Sequence, residues 1–242
     1  MRFVLYNIRY GTGGNMNRFP LSGYVGRTGK HLEEIIQFLK ESDPDVMGLV
    51  EVDSGSYRSD KKNQAEEIAD AMGHYHSYKS KYQENHPLFT KIPILNKQGN
   101  AFISKNSVTR EQCHYVTRGV KKLVMELELE NVVFLLVHLA LFYKTRMGQL
   151  RELKQIIKNI DKPCIVAGDF NVLTGQDELE LFREAAGLLE PHGGHAPTFP
   201  SWKPRMDLDF VFHTKGIKVI DLKVPPVQFS DHLPVICDFE VE

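Results

Sequence analysis

The chain has 242 residues, 42% of them hydrophobic, and a formal net charge of −1 with a sequence pI near 6.8. This length and apolar content can bury a substantial core, and no Ser/Gly/Pro-rich linker, low-complexity tract or fixed-period repeat divides it, so a single domain over residues 1–242 is expected. Near-neutral charge with scattered basic residues argues against tight nonspecific binding to long duplex, although a local basic rim remains compatible with nucleic acid.

Cys113, Cys164 and Cys237 are too few and too dispersed for a disulfide framework or a zinc site. The last two sit in apolar strand-like runs and read as core residues. No apolar stretch is long enough to span a membrane. The N-terminus lacks a signal-peptide layout, so a cytoplasmic monomer is expected, or a secreted or periplasmic one if a leader was removed.

In chain order, Arg2 to Ile8 is apolar and β-prone. Leu32, Ile35, Ile36 and Leu39 then fall at helical spacing, between an N-cap expected at Thr28 and the stop at Asp43-Pro44. Val46 to Val50 is a continuous apolar run, the pattern of a strand buried on both faces. A second helix is predicted over Gln64 to Met72. Ala101 to Ser104, Val108 to Val116 and Lys121 to Glu130 read as successive strands, the last alternating Leu123, Met125, Leu127 and Leu129 with acids. Val132 to Val137 is another buried strand, followed by an amphipathic helix from Lys144 to Ile160. Cys164 to Val166 opens a strand ending at Gly168, a short helix covers Asp177 to Ala186, and strands at Leu208–His213, Val219–Val224 and Leu233–Phe239 finish the chain. Mixed sheets flanked by helices predict an α/β sandwich with two sheets packed face to face. A Rossmann site is a poor alternative, because Gly11-Thr12-Gly13-Gly14 lacks the Gly-x-Gly-x-x-Gly spacing and no convincing helix follows.

Polar residues gather at the strand ends: Asn7 and Arg9, Glu51, His138, Asp169 and Asn171, and the Ser230-Asp231-His232 run. Asp209 lies among apolar neighbours, where a carboxylate needs a partner. Asp169 and Asn171, two positions apart, are expected on one face of an extended backbone, with Gly168 admitting a ligand close to the chain. Each residue alone has an ordinary role as a cap, turn or satisfied core group. Together they are costly to bury unless they converge on one site. Arg58, Asn63 and Gln64 offer a second polar set that suits either a phosphate contact or a helix N-terminus. Tyr143, Lys144 and Arg146 suggest a basic, aromatic rim, and Trp202 a loop at the edge of a cleft.

In this order, Tyr6-Asn7-Ile8-Arg9, Leu49-Val50-Glu51-Val52, Gly99-Asn100-Ala101-Phe102-Ile103-Ser104, Val137-His138-Leu139, Gly168-Asp169-Phe170-Asn171, Leu208-Asp209-Phe210-Val211 and Ser230-Asp231-His232-Leu233-Pro234 resemble the endonuclease/exonuclease/phosphatase superfamily. These are metal-dependent phosphodiesterases related to deoxyribonuclease I. The resemblance implies a four-layer α/β/β/α sandwich and a hydrolase acting on a phosphodiester or phosphomonoester by direct water attack, the substrate being nucleic acid or a small or lipid phosphate. It implies Mg²⁺ or Mn²⁺ held chiefly by Glu51, with Asn7 and Asp231. It further implies Asp169 as water activator, Asn171 as orienter, His232 as phosphate contact fixed by Asp209, and His138 at the scissile phosphate or leaving group. Arg9, Asn100, Arg58 and Asn63 are expected to bind substrate. Arg9 and His138 stand where the exonuclease III branch has Asp and Tyr, which disfavours abasic-site repair and a second metal. The alternative is a noncatalytic module that recognises phosphate on the same fold.

Overall fold

The computed structural model describes residues 1–14, 29–81, 94–173 and 177–242. The chain runs β1 (Arg2–Asn7), α1 (Gly29–Ser42), β2 (Val46–Asp53), α2 (Gln64–Met72), β3 (Tyr75–Ser80), β4 (Gln98–Ser104), β5 (Arg110–Tyr115) and β6 (Leu123–Glu128). It continues through β7 (Val133–His138), α3 (Tyr143–Lys158), β8 (Cys164–Asp169), α4 (Asp177–Ala186), β9 (Asp209–His213), β10 (Ile217–Lys223) and β11 (Val235–Val241). The N-cap expected at Thr28 lies outside the described residues.

One sheet has the order β10-β11-β1-β2-β4-β3 and the other β5-β6-β7-β8-β9. Their facing sides share a core in which Phe3, Leu5 and Phe102 meet Met125, Phe134, Leu136 and Ile165. The Phe3 and Phe134 rings lie 5.2 Å apart across it. Leu32, Ile35 and Leu39 of α1 and Ile68 of α2 cover the outer face of the first sheet through Val4, Tyr6, Met47 and Ala101. Leu150, Leu153 and Ile157 of α3 and Phe182 of α4 cover the second through Leu135, Val137, Val166 and Phe212. The result is the expected four-layer sandwich of two mixed sheets between helices.

Local chemistry accounts for the elements. The side chain of Asn63 accepts from Ala65 N to start α2, and Gly73 ends it at φ +69. Gly168 has φ +153, and a Cβ there would stand 1.9 Å from the Val137 carbonyl oxygen. Its role is therefore close packing of β8 on β7, not room for a ligand as the sequence suggests. β3 escapes a sequence reading because its residues are polar or aromatic and only partly buried at the sheet edge.

Candidate active site

β1 and β2 run parallel, as do β7 and β8, so each sheet presents two adjacent carboxyl ends. Those ends carry Asn7, Glu51, His138 and Asp169. Asp209 pairs opposite Asp169 across β8 and β9. The Ser230–His232 loop is tied in by the Ser230 hydroxyl, which donates to the Asn7 carbonyl at 2.7 Å. All but Asp209 and Ser230 line one cavity of about 180 Å³, together with Arg9, Tyr10, Lys121, Leu141 and Asn171.

Backbone strain is concentrated at this cavity. Of seven described non-glycine residues with positive φ, four line it: Arg9, Tyr10, Glu51 and Asn171. Such conformations persist only where surrounding structure enforces them, and they cluster at functional sites. Glu51 sits at φ +58 in an irregularity of the β2–β4 ladder, between Leu49 and Val52. Arg9 does not continue the extended backbone of β1. It opens a short 3-10 turn over Arg9–Gly11, and its Nε reaches Asp231 at 3.2 Å. Asn171 likewise meets Asp169 through a turn, its N–H donating to Asp169 Oδ1 at 3.0 Å, rather than through strand alternation.

The polar groups form one network. Asn7 Nδ2 donates to Asp169 Oδ2 at 3.1 Å, and Asn171 Nδ2 to the Leu139 carbonyl at 2.9 Å. His138 Nε2 lies 3.5 Å from Asp169 Oδ2 and 3.9 Å from Glu51 Oε1. His232 Nδ1 bonds Asp209 Oδ2 at 2.7 Å, and Thr198 donates to the same oxygen at 2.6 Å. Burial lowers the His232 pKa, but Asp209 foremost, then Asp169 and Asp231, overcome that and raise it to about 10. His232 is therefore an imidazolium at neutral pH, a donor with no lone pair to spare. Burial raises Asp169 to about 7, with Asp209 and Glu51 adding to the effect and His232 and Lys121 opposing it. Burial, then the positive neighbours Lys121, Lys81 and His232, push His138 well below 6.5 and keep it neutral. The Lys121 ammonium contacts His138 Nε2.

A model of the Endonuclease/Exonuclease/phosphatase family matches residues 4–232. The chain belongs to that family. UPF0294 proteins of Yersinia pseudotuberculosis and Yersinia pestis are each 38% identical over 85 residues, which is 32% of this chain and 30% of theirs. The chain thus matches less than a third of the length of these relatives. An endonuclease/exonuclease/phosphatase from Beutenbergia cavernae shares the fold at TM-score 0.73 and 18% identity, covering 100% of this chain and 71% of that one. The mannosyl-6-phosphatase of Bacteroides thetaiotaomicron aligns at TM-score 0.73 and 14% identity over 99% of both chains. The human Nocturnin catalytic domain, solved with bound sulfate, aligns at 0.69 and 19%, covering 100% of this chain and 93% of its own. This is a hydrolase family, and no helix among the described residues is long and apolar enough to cross a membrane.

Within that family frame, the donor set fits a hard divalent cation. Asp169, Asp209 and His232 lie close enough together to suggest a three-ligand group. However, His232 and Asp209 satisfy each other, and a protonated ring cannot ligate. Glu51 would be the better anchor for such an ion. Its carboxylate lies in the cavity, 12% exposed, with the neutral His138 ring 3.9 Å away. Asn7 and Asp231 line the same cavity and would offer further oxygens, the ligand type that Mg²⁺ or Mn²⁺ prefers.

Three residues expected at substrate lie elsewhere. Arg58 is fully buried, pairs with Asp53 at 2.7 Å and stacks on Tyr10 with 4.7 Å from its guanidinium to the ring centroid. It supports the Tyr10 turn from behind and does not line the cavity. Asn63 is the N-cap of α2, and Gln64 bridges the Asp53 N–H and the Tyr10 carbonyl. Asn100 is buried on β4, opposite the irregularity that carries Glu51, with both amide atoms unpartnered. The expected basic rim also changes, because Arg146 is buried against Glu178 while Tyr143 and Lys144 stay exposed. Trp202 is not among the described lining residues.

Sequence reasoning missed Tyr10, Lys121 and Leu141. Lys121 had a readable cue. Carrying the alternation of Leu123, Met125 and Leu127 back by two residues puts it in phase with the inner face. Tyr10 and Leu141 had none, since both reach the cavity from loops.

Proposed function

We propose that the chain is a divalent-metal-dependent phosphoesterase that hydrolyses a phosphodiester or phosphomonoester by direct attack of water. The observation that carries this reading is the convergence of Asn7, Glu51, His138, Asp169, Asn171, Asp231 and His232 from both sheets on one small cavity. Glu51, with Asn7 and Asp231, would hold Mg²⁺ or Mn²⁺, which supplies charge stabilisation to phosphate oxygens when bound.

The remaining steps belong to the chain's own groups. Asp169, with a pKa of about 7, is matched to accepting a proton from water near neutral pH. Asn7 fixes one Asp169 oxygen, and the Asn171 N–H fixes the other. His232, held cationic by Asp209, donates from Nε2 to a nonbridging phosphate oxygen and opposes the charge that grows there. Arg9 and Lys121 add positive charge at the cavity wall. Neutral His138 suits a contact to phosphate better than delivery of a proton. A binding module would need the cations but not a water-activating carboxylate facing an imidazolium, so that alternative is not favoured.

The reading is tested with bis(p-nitrophenyl) phosphate, p-nitrophenyl phosphate, single-stranded DNA, RNA and sphingomyelin, each assayed with Mg²⁺ or Mn²⁺. We expect turnover of at least one ester that Asp169→Asn lowers by about 10²-fold or more. Equal rates for the variant and the wild type would remove Asp169 from the chemistry.

A further inference from the structure

Ester hydrolysis leaves an oxygen that must gain a proton, and His138 and Lys121 are two nitrogen bases in contact at the cavity wall. His138 cannot supply that proton. Burial, then the charges of Lys121, Lys81 and His232, keep its ring neutral, with a proton on one nitrogen only. An ammonium can only donate, so the Lys121 contact makes His138 Nε2 the acceptor and puts the ring proton on Nδ1. Nδ1 is buried and has no hydrogen-bond partner among the described residues. The nitrogen that faces the cavity, 3.5 Å from Asp169 Oδ2, therefore carries no proton, and the one that carries it is walled off.

Lys121 has what His138 lacks. An ammonium carries three N–H groups, so the contact with His138 leaves donors for a ligand in the same cavity. Burial, the larger effect, lowers its pKa from 10.5 and makes it a stronger acid than an exposed lysine, while Glu51 and Asp169 favour the charged form. Its place is fixed from behind. Buried Gln149 donates from Nε2 to the Lys121 carbonyl at 2.6 Å and accepts the Ala140 N–H on Oε1 at 2.8 Å. One side chain thus ties the segment entering β6 to the segment leaving β7, and so holds Lys121 against His138.

We propose that Lys121, not His138, is the catalytic acid that protonates the departing oxygen of the ester. The inference rests on the phosphoesterase reading and assigns a proton donor within it. Water attacks phosphorus and passes a proton to Asp169, while the bond from phosphorus to the departing oxygen breaks and leaves its electron pair on that oxygen. Lys121 Nζ gives the oxygen a proton, keeps the N–H electron pair as a neutral amine, and regains a proton from solvent once the product has left.

The test compares p-nitrophenyl with phenyl esters, each as the phosphate monoester and as the methyl diester, turned over by the full chain with Mn²⁺. A p-nitrophenolate departs without a proton, whereas a phenolate, as basic as tyrosinate with a pKa of about 10, gains from an acid. We expect Lys121→Gln and Lys121→Arg to lower kcat on the phenyl esters at least about tenfold more than on the p-nitrophenyl esters, because arginine keeps the charge but cannot release a proton. Equal losses on both leaving groups, a loss confined to KM, or phenyl turnover restored in Lys121→Arg would each overturn the inference and leave the phosphoesterase reading standing. Wild type that cleaves no phenyl ester also overturns it, and wild type that cleaves no phosphate ester at all removes both. A second readout needs neither metal nor variant. In ¹⁵N NMR of the wild type at neutral pH the His138 ring should carry its proton on Nδ1, and a proton on Nε2 would make His138 a donor and overturn the inference.

Discussion

Asp209→Asn is the most informative single change, because it removes a charge while keeping the shape that Thr198 and His232 pack around. The rise of the His232 pKa from 6.5 to about 10 corresponds to about 5 kcal/mol favouring the folded imidazolium, at roughly 1.4 kcal/mol per pKa unit. The folded pKa lies above the unfolded one, so this stabilisation is complete below 6.5 and is lost as pH rises through about 10. Lys81 acts in the opposite sense. Burial lowers it from 10.5 to about 7, so its destabilisation is complete below about 7 and fades as pH rises toward 10.5. The two slopes offset each other in the wild type, and the readable quantity is the stability difference between wild type and variant. That difference is expected to be about 3 kcal/mol below pH 8 and to shrink as pH rises from about 8 to about 10, as followed by urea denaturation. In NMR titrations the His232 ring should titrate about 2 units lower in the variant, the scale of a contacting opposite charge. Turnover in the variant should therefore fall as pH rises through about 8, some two units earlier than His232 loses its proton in wild type, with the loss of the cationic donor. An unchanged His232 titration, or a stability difference independent of pH between 6.5 and 10, would refute the assignment of that charge to Asp209.

Gly168→Ala should cost about 3 kcal/mol or more, because its Cβ would meet the Val137 carbonyl oxygen at 1.9 Å. Thermal unfolding checks this, and a variant as stable as wild type would show that β8 and β7 are not held this closely. Arg58→Met leaves Asp53 buried and unpaired and should cost about 3–5 kcal/mol in urea denaturation. If Arg58 bound substrate instead, the variant would raise KM at unchanged stability.

Much of the sandwich was legible because its strands are continuous apolar runs and its helices keep a 3.6-residue period. α2 has the bounds that its pattern predicts, and β2 differs only in running on through Glu51 to Asp53. The polar residues at strand ends were legible for the same reason, since each interrupts or closes an apolar run. The means by which they converge was not. Glu51, Arg9 and Asn171 reach the cavity through left-handed backbone, which residue order does not announce. The sequence also could not separate Arg58 from a surface arginine. Its partner Asp53 is five residues away, and its burial depends on Tyr10, which arrives from a different strand end.

In the proposed phosphoesterase, Glu51 anchors the divalent ion among these residues. The most direct measurement is phosphoester turnover titrated with Mn²⁺ after EDTA treatment, in wild type and Glu51→Gln. Wild type should be inactive without metal and recover on its addition, while Glu51→Gln should need at least about tenfold more Mn²⁺ for half-maximal activity. Turnover that survives EDTA, or the same Mn²⁺ dependence in both proteins, would contradict it.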